Sequence, residues 1–332
     1  MKHYYTTALF LASSASTLTP FATIASNWTV LDDMEDPAFP AWTLTHTQGV
    51  ASLNSVTDRS DATNQALDLS VYTNTISDRA VACAVLPLDT PIADGATGTI
   101  YLRYWEEANG RDYNYGFSDL PITPNGNGGY SAPWDWNDFE GIIQMAPNTS
   151  ILNVRDGSSY WPLTADQGIT DAAIEHGIWY EIWIVITNAV GTTNDEYAIY
   201  IKGGAYTSQT LLQVQTGTAS FDTSHFRNGT TESIKNVFIR TQIDPKTPNN
   251  NDPVYIDQVA QAPGVELTSG IATDLCAWSY CPDKDGYVDT GNWMGWLNVT
   301  LQPWIYSYSL KSWLYMAENA MSSHGAWVYL KK

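Results

Sequence analysis

Four short runs place acidic, amide, arginine and aromatic residues two positions apart. In residues 99–106 one alternating set is Tyr101, Arg103 and Trp105. In residues 139–145 it contains Glu140 and Gln144, in 179–187 Glu181 and Trp183, and in 235–242 Arg240 and Gln242. A spacing of two puts side chains on the same face of a β-strand. The intervening residues are apolar in most positions: Ile100, Leu102 and Tyr104; Ile143 and Met145 with Phe139; Tyr180, Ile182, Ile184 and Ile186; Val237 and Ile239. One face of each strand therefore suits a core and the other suits a ligand. Aromatic rings stack on the C–H faces of a pyranose, while Arg, Glu and Gln hold its hydroxyls. If the four runs belong to one sheet, Tyr101, Arg103, Trp105, Glu140, Gln144, Glu181, Trp183, Arg240 and Gln242 form one surface for a polysaccharide or other glycan. The bland alternative is a solvated sheet face on which Arg and Glu pair.

The same face holds candidates for catalysis. Asp138 and Glu140 share a strand face, and Glu140 could oppose Glu181 across a sheet. Two carboxylates about 5–9.5 Å apart can hydrolyse a glycosidic bond. A lyase needs a base and an Arg or Gln against a uronate, types that Tyr101, Arg103, Gln144 and Arg240 supply. Yet acids this close together, beside Asp135, are also common in loops. His46, His176, His225 and His324 are scattered, which argues against a metal or nucleophile triad. The expectation is therefore binding without catalysis. A glycoside hydrolase or polysaccharide lyase using the same face is the alternative, and a structural envelope protein the second.

The elements that must position these residues are strands. Between residues 28 and 262, β-branched and alternating runs are separated by Gly, Asn, Asp, Pro and Thr clusters. Many strands with few helical stretches predict an all-β fold, a two-sheet antiparallel jelly-roll sandwich. Residues 109–138, with Tyr113, Tyr115, Phe117, Tyr130, Trp134 and Trp136 among Asn, Asp and Gly, read as a long aromatic loop at its end. Residues 1–25 read as a signal peptide, with Lys2 and His3 before an apolar stretch and Thr23-Ile24-Ala25 as cleavage site. That predicts a secreted or cell-surface protein. The sandwich is expected over 26–265, and a Trp/Tyr-rich C-terminal β region over 266–332.

That C-terminal region repeats a triplet: Trp304-Ile305-Tyr306, Trp313-Leu314-Tyr315 and Trp327-Val328-Tyr329. On strands, Trp and Tyr share one face and the aliphatic residue takes the other. The triplets predict a small hairpin sheet, either self-packed or available for cell-surface association. Cys276 and Cys281 are close enough to form a disulfide, whereas Cys83 sits in an apolar run as a buried thiol.

Charge removes several partners. The 332 residues include 35 Asp and Glu against 15 Lys and Arg, a net charge of −20. Nucleic acid, which needs clustered Lys and Arg, is excluded, and densely anionic polymers are repelled unless cations bridge them. After the N-terminal stretch no run approaches the ~18 apolar residues of a membrane span.

The order of several segments resembles the concanavalin A-like lectin/glucanase (LamG-like) β-sandwiches of secreted bacterial proteins. They are Leu31-Asp32-Asp33-Met34-Glu35-Asp36, the stretch from Thr57 to Asn64 with Ala66-Leu67-Asp68, Gly177-Ile178-Trp179-Tyr180-Glu181-Ile182-Trp183, and Val254-Tyr255-Ile256-Asp257-Gln258-Val259. They are spread over most of residues 28–262. In that family the first and last strands often share a structural Ca²⁺. The resemblance implies such a site on Asp33 or Glu35 and on Asp257, oxygen ligands suited to a hard cation.

Overall fold

The structure, a computed structural model, describes residues 27–58, 64–72, 80–107, 112–127, 129–145, 151–165, 173–216, 219–243, 253–268, 287–289, 296–301, 304–315, 321–322, 325–326 and 329–331. They fall into two compact units, one within residues 27–275 and the other within 276–332. The expected signal peptide and the Cys276–Cys281 pair lie outside the described residues.

In the first unit the chain forms β1 (Thr29–Asp32), β2 (Thr43–Gln48), β3 (Val50–Thr57), β4 (Gln65–Tyr72), β5 (Ala80–Ile92), β6 (Ala96–Glu106) and β7 (Asp112–Ser118). Two short strands, β8 (Thr123–Pro124) and β9 (Tyr130–Ala132), and one 3-10 turn (Trp136–Asp138) follow. Then come β10 (Gly141–Met145), β11 (Leu152–Asp156), β12 (Ser159–Ala165), β13 (Tyr180–Asn188), β14 (Glu196–Gly203) and β15 (Tyr206–Thr216). Short strands β16 (Ala219–Phe221) and β17 (Ser224–His225) precede β18 (Ile234–Ile243) and β19 (Val254–Pro263).

The pairing is antiparallel and makes two sheets. The first runs β3–β4–β19–β6–β13–β14–β15, with β1 beside the second half of β19. The second runs β2–β5–β18–β7–β10–β11–β12. The end of β12 also pairs with β15, so the sheets join along one edge. The expected two-sheet sandwich is the observed fold.

The core lies between the sheets and follows the strand pleat. Ile100, Leu102 and Tyr104 of β6 and Tyr180, Ile182, Ile184 and Ile186 of β13 line it from one side. Tyr113, Tyr115 and Phe117 of β7, Ile143 and Met145 of β10 and Val237 and Ile239 of β18 line it from the other. Each such aliphatic side chain contributes about 1.5–3 kcal/mol of burial. Here the structure corrects the expected loop over 109–138. Its first part is β7, a central strand that pairs with β10 on one side and β18 on the other.

The C-terminal unit holds a five-stranded antiparallel sheet: β20 (Tyr287–Asp289), β21 (Trp296–Leu301), β22 (Trp304–Ser307), β23 (Ser312–Tyr315), then two short paired strands β24 (Met321–Ser322) and β25 (Gly325–Ala326), and β26 (Tyr329–Lys331), which returns beside β23. The first two triplets occupy β22 and β23 with the expected parity. Ile305 faces Leu314 and both are buried, while Tyr306 faces Trp313 at 5.2 Å between rings, and Trp304 and Trp313 stay exposed. Trp327 and Val328 lie outside the described residues.

Candidate functional site

The four runs that carry the expected ligand face do not share a sheet. β6 and β13 belong to the first sheet, β10 and β18 to the second. Tyr101, Arg103, Trp105, Glu181 and Trp183 therefore lie on the outer side of the first sheet. Gln144, Arg240 and Gln242 lie on the outer side of the second, with Glu140 just ahead of β10. The core separates the two groups, so one continuous surface is ruled out.

The outer side of the first sheet is covered. Tyr101 and Trp183 are 0% and 1% exposed and pack with Ala260, Trp28, Tyr200 and Leu267. The Trp183 indole N–H donates to the Thr268 carbonyl at 2.7 Å. Trp105 stacks on Tyr255 at 4.8 Å. Arg103 donates to Asp257 Oδ2 at 2.8 Å and lies 4.5 Å from the centroid of the Trp179 ring. Glu181 pairs with Lys202 at 2.8 Å and accepts from the Tyr101 hydroxyl at 3.3 Å. These residues are satisfied by one another, which leaves little for a ligand.

The expected acid pairs fail for the same reason. Glu140 and Glu181 belong to opposite sides of the sandwich. Glu140 accepts from the Asn228 backbone N–H at 2.9 Å and its side-chain amide at 3.0 Å. Burial pushes its carboxyl up, and those bonds oppose the shift. Asp138 accepts from the Trp134 and Asp135 backbone N–H groups at 2.9 and 3.0 Å, closing a capping box around the 3-10 turn. Both acids hold the segment in place.

The implied Ca²⁺ site does not fit the described residues. Asp257 gives Oδ2 to Arg103 and to the Asn64 side chain at 3.0 Å. Glu35 accepts from the Gln65 N–H, and Asp33 from the Glu35 N–H. A guanidinium on Asp257 opposes a second cation there, and among the described residues no three acidic, His or Cys side chains come together as a metal site.

The outer side of the second sheet offers more. Since Val237, Ile239, Tyr113, Tyr115, Ile143 and Met145 face the core, their neighbours along the strands face out. The register then builds one polar row across six strands. His46 of β2 lies opposite Cys83 of β5, Cys83 opposite Arg240 of β18, Arg240 opposite Asn114 of β7, Asn114 opposite Gln144 of β10, and Gln144 opposite Asn153 of β11. One step along the strands, Gln242 lies opposite Asp112.

Asp112 is the hub of this row. Its Oδ1 accepts from the Asn114 and Gln144 amides at 3.0 and 2.9 Å, and its Oδ2 from the Gln242 amide. Arg240 Nη1 donates to Gln242 Oε1 at 3.3 Å. Gln144, Asn153 and Gln242 keep part of their surface in solvent, whereas Cys83, Asn114, Arg240 and Asp112 are buried.

Aromatic residues rise beside the row. The Trp136 ring centroid lies 3.8 Å from Arg240 Cζ, and the ring meets Tyr160 edge-on at 6.4 Å. Arg155 Cζ lies 5.1 Å from the Tyr160 ring centroid. Trp134 stacks on His46 at 3.9 Å. Burial and nearby Arg240 hold His46 below its usual range, so it serves as a neutral ring near pH 7. At the far end Phe139 stacks on Phe238 at 3.6 Å and seals that part of the sheet. The segment between β9 and β10 is pinned by Arg227, which donates to the Trp136 carbonyl and to Asn137 Oδ1.

Phe139 was expected in the core, but β10 starts only at Gly141, so the strand alternation does not reach back to it. Asp112, Asn114, His46, Trp136 and Tyr160 are the site residues that reading the four runs missed. For β7 a signal existed: Tyr113, Tyr115 and Phe117 alternate with Asp112, Asn114 and Gly116. Its polar and glycine members had the look of a loop.

No protein-family model matches this sequence, nor does any curated protein. Solved structures do show similarity. The T. cruzi calreticulin globular domain has a TM-score of 0.41 at 10% identity, covering 71% of this chain and 89% of that one. A GH131 β-glucanase catalytic domain from Podospora anserina has a TM-score of 0.42 at 11% identity, covering 73% and 99%. The exoplasmic/lumenal domain of VIP36, in a form with Ca²⁺ and Man3GlcNAc bound, has a TM-score of 0.38 at 10% identity, covering 73% and 91%. These are concanavalin A-like lectin/glucanase sandwiches.

Proposed function

We propose that this protein binds a glycan, without cleaving it, on the outer side of the second sheet. The observation that carries the reading is the pair of partly exposed rings of Trp136 and Tyr160 beside the partly exposed amides of Gln144, Asn153 and Gln242, with Arg240 buried against Trp136. Amides and a guanidinium on a rigid sheet match sugar hydroxyls, and aromatic rings match the apolar ring faces. Binding is favoured over hydrolysis because the neighbouring acids are already spent. Asp112 receives three amide donors, and Asp138 and Glu140 hold backbone groups, so none of these three acids is left over to act on a glycosidic bond.

A glycan array with the intact protein tests this. Trp136→Ala and Gln144→Ala should each weaken binding to the hits by about tenfold or more, the usual cost of removing a central contact. Lys202→Ala, on the first sheet, should leave affinity unchanged. Wild-type affinity in both second-sheet variants would remove this face from consideration. New reducing ends or unsaturated products from the hits would instead establish an enzyme.

A further inference from the structure

The C-terminal sheet keeps its aliphatic core on one face and leaves aromatic rings in solvent on the other. Leu297 of β21, Ile305 of β22 and Leu314 of β23 are buried. Their strand alternates Trp304 and Trp313 stay 42% and 37% exposed. The turn that joins β22 to β23 exposes Tyr308 and Leu310 as well. Single apolar side chains on a surface need no explanation, but four within ten residues make a patch. Tyr306, half-buried, meets the Trp313 ring and the Tyr308 ring edge-on, each at 5.2 Å. Edge-on pairs are favoured ring contacts, so the rings are already ordered for a ligand. The register sets Asn298, also half-buried, opposite Tyr306, and Tyr315 opposite Trp304.

Charge selects the partner. Between Trp304 and Tyr315 the sequence has one charged residue, Lys311. One ammonium gives little hold on a polyanion, and the net charge of −20 repels one. Exposed ring faces with an amide in the same row suit an uncharged sugar chain, whose C–H faces stack on rings and whose hydroxyls bond to amides. We propose that the aromatic face of the C-terminal sheet, centred on Trp304, Tyr306 and Trp313, is a second glycan site that stacks the sugar rings of a neutral polysaccharide. It goes beyond the site on the sandwich and stands on residues of the other unit.

Affinity electrophoresis of the full-length protein through gels containing a neutral glucan, xylan or glucomannan tests it. At least one of these polymers should retard the wild type. Trp304→Leu combined with Trp313→Leu keeps apolar surface but removes two ring faces. This pair should bind the same polymer about tenfold more weakly or worse, with its melting temperature close to wild type. Trp304→Tyr combined with Trp313→Tyr restores a ring at each position and should recover most of that loss. Should the leucine pair fold poorly, Trp304→Leu alone decides by the same readout. Trp136→Ala, run beside them, lets the two glycan sites fail separately. Retardation lost in Trp136→Ala but undiminished in the leucine pair removes the C-terminal site and keeps the sandwich site, and the reverse result removes the sandwich site alone. A wild type that no polymer retards overturns the proposal. So does flotation of wild type and leucine pair alike with phosphatidylcholine vesicles in the absence of retardation, which would make the patch an apolar membrane contact.

Discussion

Asp257 shows what becomes of a polar residue that a strand turns outward when other side chains cover that face. It is fully buried, with Oδ2 bound to Arg103 and Asn64 and Oδ1 unmatched. Burial outweighs those two partners and pushes its pKa from 3.8 to about 6. The native state thus holds a proton between about pH 4 and 6 that the unfolded chain has released. Stability from this group is greatest at acidic pH and is lost as pH rises toward 6. The cost of keeping it charged at neutral pH is at most on the order of 3 kcal/mol. Asp257→Asn lacks this titration. Urea denaturation at several pH values should show the wild type gaining stability relative to Asp257→Asn as pH falls from neutral to about 4. Parallel curves for the two proteins would mean that Asp257 titrates normally.

At the scale of elements, the close approach of β7 and β10 sets the site. Gly116 lies opposite Phe238 and Ile142 on the outer side of the second sheet. A Cβ there would overlap the Gly141 carbonyl and come within 3.0 Å of the Phe238 ring. Gly116→Ala should therefore push the strands apart and cost about 1–3 kcal/mol in chemical denaturation, with glycan affinity falling alongside. An unchanged denaturation midpoint would show that the pair can absorb a methyl group. The strands β6, β13 and β18 were legible in the sequence because aliphatic or aromatic residues dominate their core-facing sets, with Thr241 the polar member in β18. β7 was not, because Asp112, Asn114, Gly116 and Ser118 fill every other position with residues common in turns. What alternation cannot show is which strands share a sheet. Period two fixes the two faces of a strand, but pairing partners are set by contacts distant in sequence. The split between β6 with β13 and β10 with β18 is therefore a tertiary fact, and it divided the expected site.

Over the whole molecule, the net charge of −20 is a long-range field that every ligand crosses before meeting the row on the second sheet. Densely anionic polymers are repelled by this field. Close to the site local groups act instead: Asp112 accepts from three amides, and Arg240 lies opposite Asn114. The long-range field and the local contacts differ in their salt dependence. From about 0.1 M to about 1 M salt the Debye length shrinks from about 10 Å to about 3 Å. A neutral oligosaccharide held by short hydrogen bonds and ring stacking should change affinity by less than about twofold over that range, since neither interaction acts beyond contact distance. A sulfated or polyuronate polymer should be repelled at low salt and gain apparent affinity as screening rises. Titrations by calorimetry at the two salt levels would check both. A steep loss of neutral-sugar affinity with salt would mean that exposed charges carry the recognition, and would shift the site away from the amide row toward the guanidinium groups of Arg155 and Arg227.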